Sequence, residues 1–208
     1  MGDCLAEAQE HSDRFAPIDV LRGWVILLMA LDHIRGFVAP SGANPTDWDT
    51  ATFAFFLVRW VTHLCAPTFI FLMGVSAALR YRKKRHDMRS FLIKRGLWLI
   101  LLELTWVSFS WSWDITQSNL GVLGSLGGAM LLLAPVIHLP AKWLATAGAL
   151  LVVGLELANV QIDGPLRILF QPTSVAVFGH RVGGAYVLLP WFGVALLGWG
   201  VAHWLVSA

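Results

Sequence analysis

Long apolar runs separated by short polar ones organise this chain from end to end. Six of them approach the roughly 20 residues a helix needs to cross bilayer hydrocarbon. They cover residues 18–38, 53–79, 91–112, 119–138, 142–158 and 186–206. The pattern predicts an all-α fold, a polytopic transmembrane helix bundle of about six spans. Residues 1–208 read as a single transmembrane domain, with 1–16 as a polar tail. The second run is long enough to tilt, and Pro67 within it predicts a kink that frees a carbonyl near Thr62 and His63. The connections 39–52 and 159–185 carry the Pro, Asn, Asp and Gly clusters of loops. In the fourth run, GVLGSLGGAM spaces Gly124 and Gly128 as a small-xxx-small pair, which predicts close helix packing.

Composition agrees with lipid as the solvent. Hydrophobic residues make up 57% of the chain and charged residues 13%, against about 25% charged in an ordinary soluble domain. Eleven Trp and twelve Phe against two Tyr suit a chain whose rings gather at headgroup level. Cys4 in the polar tail and Cys65 in an apolar run make no disulfide framework. The polar first residues are unlike a cleavable signal peptide, so the first apolar run reads as a retained anchor.

Eight of the fifteen basic residues fall between Arg80 and Arg95. By the positive-inside rule this loop is cytoplasmic. The N-terminus then lies inside, and connections 39–52 and 159–185 lie outside. The basic run is either a topology signal alone or a binding surface for an anionic cofactor or lipid. A nucleic-acid partner is not expected, and self-association into a homo-oligomer is left open.

Charges inside the spans single out candidate functional residues, because a central Arg or Asp costs about 2.5–3.5 kcal/mol on insertion scales. The first span carries Asp19, Arg22, Asp32, His33 and Arg35, the second Arg59 and His63, and the third Glu103. Asp19 with Arg22 and Asp32 with Arg35 are spaced to pair. Arg59 and His63 share a face, as do Arg22 and His33 about three turns apart. In antiparallel neighbouring spans the polar residues meet at similar depth, giving His33, His63, Arg35, Arg59 and Asp32 in the outer half of the bilayer. His passes protons near neutrality, and Arg holds a carboxylate, a phosphate or a developing oxyanion. Three readings remain open from residue types alone: a salt-bridge lock between helices, an ion or proton relay, and an enzyme active site. No Cys or His spacing supports a metal site. Glu103 is either a functional intramembrane carboxylate or a hydrogen-bonded structural one. His86, His138 and His203 read as interfacial.

The segments RFAPIDVLRGWVILLMALDHIRGF, VRWVTHLCAPTFIFLMG, FLIKRGLWLILLE and YVLLPWFGVALLGWG together resemble the heparan-alpha-glucosaminide N-acetyltransferase-like membrane family, which has bacterial members. The spacing of Arg22 and His33 is also similar to a motif of the broader membrane acyltransferase group that decorates surface glycans. The resemblance implies an enzyme of the bacterial inner membrane with acetyl-CoA or another acyl-CoA as cytoplasmic co-substrate. It implies a glycan or amino-sugar acceptor outside. His33 carries over as general base, with His63 and Asp32 beside it as catalytic candidates. Arg22, Arg35 and Arg59 are the substrate-binding candidates, and Arg82, Lys83, Lys84 and Arg85 would attract the CoA phosphates. Members of the lysosomal type have Asn at the position of His33 and draw a His from the loop after the first span. Residues 39–52 here hold none, and His63 is the substitute in reach. Family members carry more spans than six, so the resemblance also implies an incomplete version of a longer domain.

Overall fold

A computed structural model describes residues 16–38, 44–47, 51–114, 117–158, 164–177, 180–184 and 186–207. The expected polar tail and Cys4 lie outside these residues, apart from Ala16. The chain divides into two compact units, Met1–Phe69 and Ile70–Ala208.

In the first unit, α1 (Ala16–Val38) starts with Pro17 in its first turn, where a missing N–H costs nothing. Val25 is buried, while Trp24, Leu27 and Phe37 are exposed. In water that surface would be a liability. Helix α2 (Phe53–Thr62) follows. A turn at His63–Leu64 separates it from α3 (Cys65–Lys83), which runs on into the second unit. The expected kink is therefore a two-residue turn inside one longer helical run, Phe53–Lys83. Pro67 has no N–H for the His63 carbonyl, and α3 restarts with that proline inside its first turn.

The second unit continues with α4 (Met88–Leu102), a π-helical segment Glu103–Val107, and α5 (Ser108–Ser112). Trp113 ends this run in the left-handed region at φ 53°, a common way to close a helix. Next come β1 (Gln117–Leu120), α6 (Val122–Val136) and α7 (Ala141–Ala158). After a 3-10 turn at Pro165–Leu169 lie β2 (Thr173–Val177), β3 (His180–Gly184) and α8 (Leu188–Ser207).

The molecule is mostly helical but not all-α, which corrects the fold expected from hydropathy. The three strands form a sheet in the order β1-β3-β2, with β1 parallel and β2 antiparallel to β3. Strand β1 takes the first residues of the expected fourth span, and β2 and β3 lie in the expected loop. The β-branched Thr173, Val175 and Val177 alternate as a strand requires, and β1 pairs with a partner more than sixty positions away, Gln117 with Arg181.

Among the described residues, three helices are long and apolar enough to cross a membrane: Phe53–Lys83 taken as one, Ala141–Ala158 and Leu188–Val206. Of the other expected spans, α1 carries four charged side chains and α6 has fifteen residues. The helix from Met88 is interrupted by the π segment.

Glycines bring the helices of the second unit together. A Cβ on Gly96 of α4 would stand 2.7 Å from the Gly127 carbonyl of α6, and one on Gly148 of α7 would stand 2.7 Å from the Gly193 carbonyl of α8. Gly74 of α3 meets the Ala195 carbonyl, and Gly198 of α8 meets that of Phe71, in the same way. Only small residues permit such backbone contact. On α6 the glycine at the crossing is Gly127, whereas Gly128 faces Leu188 and Gly124 faces Leu120 and Glu103.

Candidate functional site

In the first unit, α1 and α2 converge on one carboxylate. Asp32 and Arg35 are one turn apart on α1, and Arg35 donates to Asp32 Oδ1 from Nε at 3.1 Å and Nη2 at 3.0 Å. From α2, Arg59 Nη1 reaches Asp32 Oδ2 at 3.2 Å and Oδ1 at 3.4 Å. Thr62, one turn further on, donates from Oγ1 to Oδ1 at 2.6 Å. Arg35 also lies over the Phe55 ring. Arg35 keeps 12% of its side-chain surface, Asp32 24% and Arg59 26%. The group is thus screened without being sealed. Two guanidiniums on one carboxylate leave a net positive charge, which suits an anion or an oxygen that becomes one.

Among the described residues, the groups bonded to the Asp32 carboxylate are Arg35, Arg59 and Thr62. With both oxygens occupied, Asp32 holds its neighbours in place. The histidines stand apart from it. His33 is exposed and lies about 100° around α1 from Asp32. Its Nδ1 is 2.8 Å from the Met29 carbonyl. A carbonyl only accepts, so in this contact Nδ1 is the donor. His63 is exposed in the turn after α2. Arg22 pairs with Asp19 at 3.2 Å on the exposed side of α1. Thr62 went unnoticed as a site residue in the sequence, although its spacing of three from Arg59 puts both on one side of α2.

The second unit holds a second polar centre. Glu103, 4% exposed, opens the π segment. Its Oε2 accepts from Gly124 N–H at 2.8 Å, and the backbone of Gly121 and Leu123 lies beside the same carboxylate. A carboxylate from one helix thereby caps the N-terminus of another, where unpaired donors and the helix dipole favour negative charge. Ser108 Oγ donates to the Glu103 carbonyl at 2.6 Å and accepts from Asn119 N–H at 2.9 Å. Ser118 Oγ donates to the Leu104 carbonyl at 3.1 Å. The π turn and strand β1 are thus tied together. Beside them lies a mostly apolar cavity of about 490 Å³, lined by Leu104, Thr105, Phe109, Asp114, Gln117 and Val182 among others.

The basic stretch in the last turn of α3 and just after it is exposed. Arg82, Lys83, Lys84 and Arg85 are all exposed, and Arg85 Nε donates to the Tyr81 hydroxyl at 2.8 Å. Cys65 is a buried free thiol. Among the described residues no group of three or more His, Cys, Asp or Glu side chains is placed to hold a metal ion.

Among the described residues, three helices long and apolar enough to cross a membrane mark an integral membrane protein. The family described as heparan-alpha-glucosaminide N-acetyltransferase, catalytic, matches residues 14–208, and the chain belongs to it. That family places it among membrane acetyltransferases. No match was found among curated proteins or among solved structures.

Proposed function

We propose that this chain moves an acetyl or similar acyl group from cytoplasmic acyl-CoA to a sugar or other small acceptor on the outer side of a six-span bundle. The observation that carries the reading is the family match over nearly the whole chain. The charged group on α1 and α2 supports it, because two guanidiniums held on one carboxylate supply a fixed positive charge that can stabilise a developing oxyanion.

The chemistry assigns a role to each residue. The His33 imidazole takes the proton from the acceptor amine or hydroxyl as its N or O attacks the thioester carbonyl. The oxyanion that forms is stabilised by Arg35 and Arg59, with Asp32 and Thr62 fixing their geometry. Collapse breaks the C–S bond, the acyl group stays on the acceptor, and the CoA thiolate leaves, protonated by the imidazolium. His63 is the second proton carrier, and Arg22 orients the donor. Arg82, Lys83, Lys84 and Arg85 attract the CoA phosphates, which fits a cytoplasmic loop and N-terminus and a bacterial inner-membrane location.

The test is acetyl transfer from labelled acetyl-CoA by the full chain in sealed proteoliposomes, with amino sugars supplied on one side. Label appearing on the acceptor is the expected result. Absence of acetyl-CoA binding by the folded protein would leave a transporter or a non-catalytic scaffold in its place.

A further inference from the structure

One pair of cations has no role in that chemistry. The guanidinium carbon of Arg80, in the last turns of α3, lies 4.0 Å from the centre of the Phe91 ring. That of Arg95, one turn beyond Phe91 on α4, lies 5.4 Å from the same ring. Cation–π attraction explains why each arginine lies there, but it also brings two like charges onto one ring. Arg80 Nε is buried and has no hydrogen-bond partner. Among the described residues none of the ion pairs engages Arg80 or Arg95, and Asp87 in the intervening turn sits against His86 at 3.3 Å. The pair is therefore a repulsive, partly desolvated arrangement that an anion would relieve.

The surface running along α4 indicates which anion. Lys94 and Arg95 are exposed, as are Trp98 and Leu101 below them. At helical spacing these form one stripe: cations first, an indole next, then aliphatic side chains. A membrane interface imposes that order on whatever lies against it, from phosphate to glycerol to acyl chain. We propose that the Arg80–Phe91–Arg95 clamp binds the phosphate of an anionic phospholipid whose acyl chains lie along Trp98 and Leu101. The planar fork of arginine suits phosphate oxygens, and both forks lie against one ring. The site depends on the chain being in a membrane and not on acyl transfer.

The experiment measures lipid retention by the purified full-length protein in detergent, using native mass spectrometry. Phosphatidylglycerol is compared with phosphatidylcholine of the same acyl chains, with and without excess CoA. The decisive variants preserve charge. Arg80→Lys with Arg95→Lys leaves the electrostatics unchanged but removes the stacked forks, so retention should fall about ten-fold or more. Arg89→Lys, on an exposed arginine of the same helix, should change nothing. If the double variant folds poorly, Arg95→Lys alone carries the test, since Arg95 is exposed.

Phosphatidylglycerol retained over phosphatidylcholine, lost in the Lys variants and not displaced by CoA, is the expected outcome. Full retention in the Lys variants would overturn the proposal by reducing the site to bulk charge. Displacement by CoA would overturn it by assigning the clamp to a nucleotide, and equal binding of both lipids would remove the anion from it.

Discussion

Thr62 Oγ1 donates a 2.6 Å hydrogen bond to Asp32 Oδ1 across thirty positions of chain, from the end of one helix to the middle of another. It joins the carboxylate on which Arg35 and Arg59 both rest. Thr62 is 3% exposed, so no water replaces a lost hydroxyl. Thr62→Val keeps the shape and removes the donor, and it should cost about 1.5–3 kcal/mol, the range for a hydrogen bond to a charged group. Thr62→Ser should recover most of that. Thermal unfolding in detergent reads both, and equal stability of the Val and Ser variants would deny the bond any weight.

His33→Ala should lower acyl transfer about 10²–10⁴-fold, the usual loss on removing a general base. His33 is exposed, so the protein should remain folded and keep its affinity for acetyl-CoA. His63→Ala reports separately on the second histidine. Turnover at the wild-type rate in His33→Ala would remove that residue from the mechanism.

Glu103→Leu strips the acceptor from the Gly124 N–H at the start of α6. A buried donor left unpaired should destabilise the protein by about 1–3 kcal/mol. Glu103→Gln keeps one acceptor oxygen but turns an amide NH₂ toward the same helix end, so it should fall between Leu and wild type. The order of melting temperatures checks this, and a Leu variant as stable as wild type would refute the capping role.

Two glycine substitutions should behave oppositely. In Gly96→Ala the new Cβ would press on the Gly127 carbonyl, 2.7 Å away. Backbone cannot yield as a side chain does, and overpacking of this kind costs about 1–3 kcal/mol. Gly154→Ala in α7 meets nothing within 4 Å and should be neutral or stabilising by up to about 1 kcal/mol. Parallel unfolding measurements on the two variants decide the matter.

How far the chain could be read in advance depended on the range of the interaction. Helices are local, so apolar runs located the helical segments to within a few residues. The spacing of Asp32 and Arg35 and the antiparallel entry of the second run were enough to bring Arg59 toward them. Strand β1 was illegible because Gln-Ser-Asn-Leu has no period of its own and is held by β3, far along the chain. Spacing identified α6 as a packing helix but not which glycine faces its neighbour, since Gly124, Gly127 and Gly128 all lie within little more than a turn. The π segment left no hydropathy signal. It is visible only through the serines that claim its carbonyls.

That segment sets a rule about length. A π turn accommodates about one residue more than an α turn, and one residue is about 100° of helical phase. Everything after Val107 is therefore rotated relative to the face that packs Gly96 against α6. Deleting a single residue between Glu103 and Val107 would restore an ordinary helix and swing Ser108 away from Asn119, unlatching β1. Glu103 apart, the number of residues along this stretch should therefore matter more to this fold than which side chains they carry.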